Sequence, residues 1–222
     1  MAVFEILMIR AAIFDFDGTL TPLTLDFSLL RARIEGLARE YVHEDVITSQ
    51  ANQYIIEMIH AIGDVLQKDG PTFQKRAFRE LCILEVEASS GKALYPYTRD
   101  VFARLKAKGV RIGIITRTCI EVIRTVFPDL DAYVDAVVTR DHTRYVKPNP
   151  EQVRIALACL GIAPAEAILT GDHPTDIEAG KAFGTITAGV LTGRTTAPLF
   201  AKAGAHHIFD DIRGIVGLIG NG

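Results

Sequence analysis

Four short segments of the chain carry the side chains that could do chemistry. The first is Asp15-Phe16-Asp17-Gly18-Thr19, at the end of an apolar run. Two carboxylates two residues apart at a strand end share one face, and Gly18 lets the backbone turn sharply close to a ligand. An apolar strand that delivers two acids is costly unless a cation or a reaction uses them; a solvated turn is the plainer reading of the same residues. The second segment, Thr116-Arg117-Thr118, offers a hydroxyl and backbone amides that could hold an anion ahead of a helix, or simply a helix N-cap. The third, Lys147-Pro148-Asn149-Pro150, holds a lysine in a stiff stretch just before a helix, with Asn149 a good cap and Pro150 suited to the first helical position; the alternative is an exposed loop lysine. The fourth runs from Gly171 to Asp176. It puts Asp172 at a strand end and Asp176 near a helix start, where negative charge is mildly favourable in any case.

Singly these signals are modest, but each sits at the carboxyl end of a predicted strand or at a helix start on the same rim. Several acids around one hard cation, with a hydroxyl and a lysine, match a Mg²⁺ site that completes its shell with water and phosphate oxygens.

The elements that must position these residues alternate. Ala11–Asp15, the end of Lys106–Thr116, Tyr133–Val138, Ala167–Thr170 and Thr185–Val190 read as buried strands. Thr98–Ala107, Ile120–Phe127, Pro150–Leu160 and Asp176–Phe183 read as helices. This predicts an α/β fold with a doubly wound, Rossmann-like parallel sheet, which carries ligands at the carboxyl ends of its strands. From Leu20 to Tyr97 the rhythm breaks and only helical periodicity remains: Leu30, Ile34, Leu37, Tyr41; Ile47, Ala51, Tyr54, Met58, Ile62, Val65; Phe73, Ala77, Leu81, Leu84. A structureless loop of that length is improbable in a compact domain. The expectation is a catalytic core over 1–20 and 97–222 with an inserted α-helical cap subdomain of three to four helices over 21–96.

The chain has 222 residues, 49% hydrophobic and 23% charged, an ordinary globular mix that excludes a disordered or collagen-like chain. A net charge of −3 gives no field for nucleic acid or an anionic membrane. Three scattered cysteines, Cys82, Cys119 and Cys159, form no disulfide framework, which fits a reducing cytoplasm. No apolar run approaches the ~20 residues of a membrane span. The start lacks the basic region of a signal peptide; Met8 is a second possible start, and the first seven residues read as a short extension.

On these residues the chain resembles the haloacid dehalogenase-like hydrolase superfamily, with Asp15-Phe16-Asp17-Gly18-Thr19, Thr116, Lys147 and Gly171-Asp172 through Asp176 matching its four motifs across the core. It is most similar to the phosphoglycolate phosphatase and β-phosphoglucomutase relatives, which carry a helical cap between the first two motifs. The resemblance implies a cytoplasmic, Mg²⁺-dependent phosphatase of small phosphorylated metabolites. Asp15 would be the nucleophile and Asp17 the general acid and base. Mg²⁺ would lie on the Asp15 and Asp172 carboxylates and the Asp17 carbonyl, with Asp176 supporting the metal or orienting Lys147. Gly18, Thr116, Arg117 and Lys147 would form the phosphate site. Family dehalogenases lack an acid two residues after the nucleophile, so Asp17 favours phosphoryl transfer. A phosphomutase shares every motif; a non-catalytic phospho-ligand-binding regulator would not need all four acids and bases together. A receiver-type signalling module lacks the helical insert. Two positions depart from the usual pattern: Arg117, where many relatives carry asparagine, and Tyr97, where a glycine is usual.

The remaining candidates are weaker. His173 lies inside the fourth motif at a position that need not do chemistry, with a place on the rim or behind the ligand-contacting residues as the alternative. His206-His207 lacks partners at metal spacing, and Gly91-Lys92 lacks the surrounding residues of a P-loop. Cys119 could lie near the pocket as a helix residue, but nothing marks it as a nucleophile. Substrate and oligomeric state are not legible.

Overall fold

The structure is a computed structural model that describes residues 9–219; the reading of the first seven residues as an extension lies outside the described residues. Six strands, β1 (Ala11–Phe14), β2 (Arg111–Ile115), β3 (Ala136–Val138), β4 (Ala167–Gly171), β5 (Ile186–Val190) and β6 (His207–Phe209), form one parallel sheet in the order β3-β2-β1-β4-β5-β6. Between β1 and β2 come helices α1 (Phe27–Ala38), α2 (Glu44–Ser49), α3 (Ile55–Leu66) and α4 (Gly70–Ala88). The sheet's own helices are α5 (Thr98–Ala107), α6 (Ile120–Val126), α7 (Glu151–Leu160), α8 (Pro174–Phe183), α9 (Ala197–Ala203) and α10 (Arg213–Leu218).

The central strand β1 shows how the sheet is covered on both faces. Its four side chains are fully buried, and successive ones point to opposite faces. Ala11 and Ile13 join a cluster with Val153, Ala156 and Leu157 of α7 and Ala179 of α8. Phe14 instead meets Phe102 of α5, ring centroids 5.2 Å apart. Strand order reverses between β1 and β4, so their carboxyl ends border the crevice where doubly wound sheets bind ligands.

Several elements differ from the sequence expectation, most by a residue or two at an end. β6 is a sixth strand of three half-buried residues, His207, Ile208 and Phe209, too short and too polar to stand out as an apolar run. β3 begins at Ala136 because Leu130–Ala132 folds into a 3-10 turn that Tyr133 and Val134 close by donating to Leu130 O. α7 begins at Glu151, one residue later than expected, with Asn149 Oδ1 accepting from the Glu151 amide at 2.9 Å.

Contacts divide the chain into two compact units, one formed up to Leu23 and again from Gly91, the other by Thr24–Ser90. The junctions fall at 23/24 and 90/91, against the expected 20/21 and 96/97. The two connecting segments are tied within the sheet unit: Tyr95 N donates to Leu20 O at 2.9 Å and Thr98 Oγ1 to the same oxygen at 3.4 Å. Tyr97 needs no glycine: its φ is −85°, and its ring stacks on Tyr95 at 5.4 Å with Arg213 4.8 Å away over the face.

The helical unit has a core of its own. Leu30, Ile34 and Ala38 of α1, Ile47 of α2, Met58, Ile59 and Ile62 of α3, and Phe73, Ala77 and Leu81 of α4 form one buried cluster. Asp26 caps α1, its Oδ1 accepting from the Ser28 and Leu29 amides at 3.0 Å each. The expected stripe from Ile47 to Val65 is broken. Residues 50–54 are not helical, so the phase restarts at Ile55, and Tyr54 and Val65 are left exposed.

Candidate active site

The four sequence segments converge at the carboxyl rim of the sheet. Asp15 follows β1, its amide donating to Thr170 O at 2.9 Å; Thr116 follows β2, its amide donating to Val138 O at 3.1 Å. Asp172 follows β4, and Asp176 lies in the first turn of α8. Asp15, Thr116, Lys147, Asp172 and Asp176 are all buried.

Lys147 is the hinge of the electrostatics. Its Nζ donates to Asp15 Oδ1 and to Asp176 Oδ1, both at 2.5 Å. Burial alone would push this ammonium toward neutrality, but the two carboxylates outweigh it and hold Lys147 charged, above the ordinary lysine range. The other oxygen of Asp176 accepts the His173 amide at 3.0 Å, so both its oxygens are engaged. His173 itself caps α8, Nδ1 accepting from the Thr175 amide at 3.3 Å, and burial lowers its pKa. His173 thus serves as a helix cap.

Asp172 has no lysine. Burial, then the charges of Asp15 and Asp176, push its pKa up to about 8. Its carboxylate is gripped by backbone: a Cβ on Gly18 would lie 2.3 Å from Oδ2, and one on Gly193 would lie 1.9 Å from it. Gly18 has φ +88°, open to glycine and strained for other residues, and its amide already donates to Thr21 O at 2.8 Å. Gly18 thus contributes its missing side chain more than its N–H. Thr192 ties the Gly193 loop to this turn, Oγ1 donating to Gly18 O at 2.6 Å. Thr19 Oγ1 lies 3.2 Å from Asp15 Oδ2 and 3.3 Å from Asp172 Oδ1, so its single proton serves one at a time.

Asp17 is held separately. Lys92, its side chain only 1% exposed, donates Nζ to Asp17 Oδ1. Burial raises the Asp17 pKa, and Lys92 opposes that rise without cancelling it.

Four residues in this set were given no functional role from the sequence: Gln152, Lys92, Thr192 and Gly193. Gln152 is fully buried; its Nε2 donates to Thr116 O at 2.7 Å and to Val138 O at 3.2 Å, and its Oε1 accepts the Lys147 amide at 3.3 Å. It locks two strand ends to the lysine segment. Arg117 is anchored, its guanidinium donating to Lys147 O. Cys119 is buried just before α6, and none of the three cysteines forms a disulfide. His206 Nδ1 lies 3.0 Å from the Thr187 amide, a structural bond next to β6.

Single ligand atoms of Asp15, Asp172 and Asp176 lie within 4.8 Å of one another. Three buried acids share one ammonium, which bridges only Asp15 and Asp176. Burial first, and the neighbouring acids second, raise the Asp172 pKa, and a divalent cation at these oxygens would favour the charged form. The donor set, all carboxylate oxygen, fits a hard ion such as Mg²⁺. Next to it, the Thr116 hydroxyl, which accepts the Thr118 amide at 3.2 Å, keeps its own proton to donate to an anion.

A doubly wound α/β sheet with a helical insert after the first strand, acids at its switch point and a buried lysine between two of them defines the class. The chain matches the haloacid dehalogenase-like hydrolases over residues 9–184, and it belongs to that family. Among curated relatives, pyrophosphatase PpaX of Bacillus velezensis is 40% identical over 98 residues, 43% of this chain and 45% of that protein. PpaX of Anoxybacillus flavithermus is 31% identical over 82% of this chain and 83% of its own length. Phosphoglycolate phosphatase of Rhodospirillum rubrum is 28% identical over 92% and 88%. The solved structure of a family IA HAD hydrolase from Entamoeba histolytica, 20% identical, shares the fold with a TM-score of 0.68 over 96% of this chain and all of that one. Among the described residues no helix is long and apolar enough to cross a membrane.

Proposed function

We propose that the chain is a cytoplasmic, Mg²⁺-dependent phosphatase that hydrolyses small phosphomonoester metabolites by way of an aspartyl-phosphate. The observation that carries this reading is the buried Asp15–Lys147–Asp176 bridge beside Asp172 at the β1/β4 switch point. An Asp15 carboxylate oxygen attacks phosphorus, the bond to the leaving oxygen breaks, and Asp17 gives that oxygen its proton. Water then attacks the phosphorus of the aspartyl-phosphate; Asp17 takes the water's proton and the bond to Asp15 breaks. Thr116 and the Arg117 amide hold phosphoryl oxygens, and Lys147 offsets charge on nucleophile and phosphate. Mg²⁺ on the Asp15 and Asp172 carboxylates and the Asp17 carbonyl would supply charge neutralisation for the phosphoryl group. Of the two roles expected for Asp176, its engaged oxygens favour orienting Lys147.

In this proposal the helical unit, Thr24–Ser90, is the cap that contributes specificity residues. The names of the relatives put pyrophosphate and phosphoglycolate first among substrates to try. A panel of these two with sugar phosphates, nucleotides and p-nitrophenyl phosphate, assayed for released phosphate, tests the reading. Turnover of one small phosphate ester well above the others is the expected result. No phosphate release from any of them with Mg²⁺ present would overturn it, and isomerisation of a sugar phosphate without release would favour a mutase.

A further inference from the structure

Asp15 and Asp17 are two residues apart, yet two different buried lysines hold them. Lys147 and Thr19 occupy both oxygens of Asp15. Lys92 occupies only Oδ1 of Asp17, and among the described residues no hydrogen bond reaches the other oxygen. Lys92 comes from 75 residues further along the chain, in the segment that leads from the helical unit into α5. The backbone turns just before it, Gly91 having φ +73°. Burying a lysine loses its hydration, which one ion pair rarely repays in stability. A cation buried against a single carboxylate oxygen therefore suggests a use at that carboxylate.

We propose that Lys92 is the positioning residue for the Asp17 carboxyl, an inference that rests on the reading of Asp17 as proton carrier. A terminal carboxyl torsion is broad and roughly two-fold, so an unheld Asp17 would present either oxygen in many directions. Lys92 fixes one oxygen and leaves the other as the single site that exchanges a proton with leaving group and water. The bond survives both halves of the cycle, because a protonated carboxyl keeps a carbonyl oxygen that still accepts from an ammonium. Lys92 acts through Asp17 and needs no contact with substrate.

Three variants test this, each assayed with the best alkyl phosphate of the panel and with p-nitrophenyl phosphate, whose leaving group needs little protonation. Lys92→Met should lower kcat on the alkyl phosphate by about 10–100-fold, part of the ~10²–10⁴-fold worth of a general acid. On p-nitrophenyl phosphate the loss should be only about a few-fold in the same comparison, with KM little changed on either. Lys92→Gln keeps an N–H donor and should show the same selectivity with a smaller loss; it carries the test if the methionine variant does not fold. In an Asp17→Asn background, Lys92→Met should add no further loss, since groups acting through one another are not additive. Equal losses on both substrates, a rise in KM alone, or additive losses in the double variant would overturn the proposal. Asp17→Asn measured alone separates the two ideas: if that variant shows no leaving-group selectivity, the reading of Asp17 itself is what fails.

Discussion

In the helical unit the largest buried side chains are Ile34, Met58, Ile59 and Phe73; at the carboxyl rim of the sheet they include Lys147 and Gln152 beside Asp15, Asp172 and Asp176. Each apolar side chain of the first set contributes about 1.5–3 kcal/mol on burial and needs no particular partner. The polar set contributes nothing to stability unless every donor and acceptor is matched, and an ion pair such as Lys147 with its two acids does little better than a hydrophobic substitute. The helical unit is buried for stability, and the rim is buried for chemistry. Substitutions in the rim should therefore change rates more than stability, and substitutions in the helical unit the reverse.

The sharpest break would come at Asp15. Asp15→Asn removes the nucleophile and a metal ligand but leaves Lys147 paired with Asp176. Turnover should fall by at least ~10⁴-fold, as for other catalytic nucleophiles, while the circular dichroism spectrum and Tm stay near those of the parent. Phosphatase activity close to wild type would sink the mechanism.

Metal removal comes next. Excess chelator should abolish turnover, and Mg²⁺ should restore it; Ca²⁺, with its looser and higher coordination, should restore it poorly. The Asp172 pKa of about 8 lies above neutrality, so this carboxyl is mostly protonated at pH 7 without a cation. Mg²⁺ binding at pH 7 should release protons, and the release should fade above pH 8. Calorimetry in buffers of different ionisation enthalpy reads this directly, and binding without proton release would show that Asp172 is already ionised before the metal arrives or is not a ligand.

Asp17→Asn should slow alkyl phosphates by about 10²–10⁴-fold and p-nitrophenyl phosphate less. Water attack still lacks its base, so a burst of p-nitrophenol followed by slow turnover is the expected trace. Equal losses with no burst would assign Asp17 a structural part only.

The helical unit supplies the opposite arm. Phe73 is fully buried, with Tyr41 edge-on at 5.3 Å. Phe73→Ala should destabilise that unit by about 3–5 kcal/mol, seen by denaturant titration, while Mg²⁺ binding to the sheet unit is retained. Loss of Mg²⁺ binding in this variant would erase the contrast between the regions. The smallest effect is expected at the α1 cap, where Asp26→Ala loses two amide bonds and about 1 kcal/mol. A change of several kcal/mol there would mean that the cap holds more than its own helix.

Much of this was legible in the sequence because the signals are local. Acids at strand ends, a lysine before a helix and the order of the four segments are read from consecutive residues. The α/β alternation and the helical stretch follow from periodicity within one element. The signals that failed were local too. The stripe through Tyr54 and Val65 ignored the break at residues 50–54, and β6 was too short to register. Gln152 looked like any polar residue of a helix, and Lys92 like a lysine beside a glycine.

The sequence by itself determined which chemistry the chain could carry and on which kind of scaffold, since residue type, spacing and hydrophobic period act over a few residues at a time. The tertiary structure alone decided which cation serves which acid. Lys147 meets Asp15 across 132 residues and Lys92 meets Asp17 across 75. Contacts over such separations depend on the path of the whole chain, on strand order and on where the helical unit returns to the sheet. The same holds for the grip of Gly18 and Gly193 on Asp172: it exists only because β1, β4 and β5 end side by side.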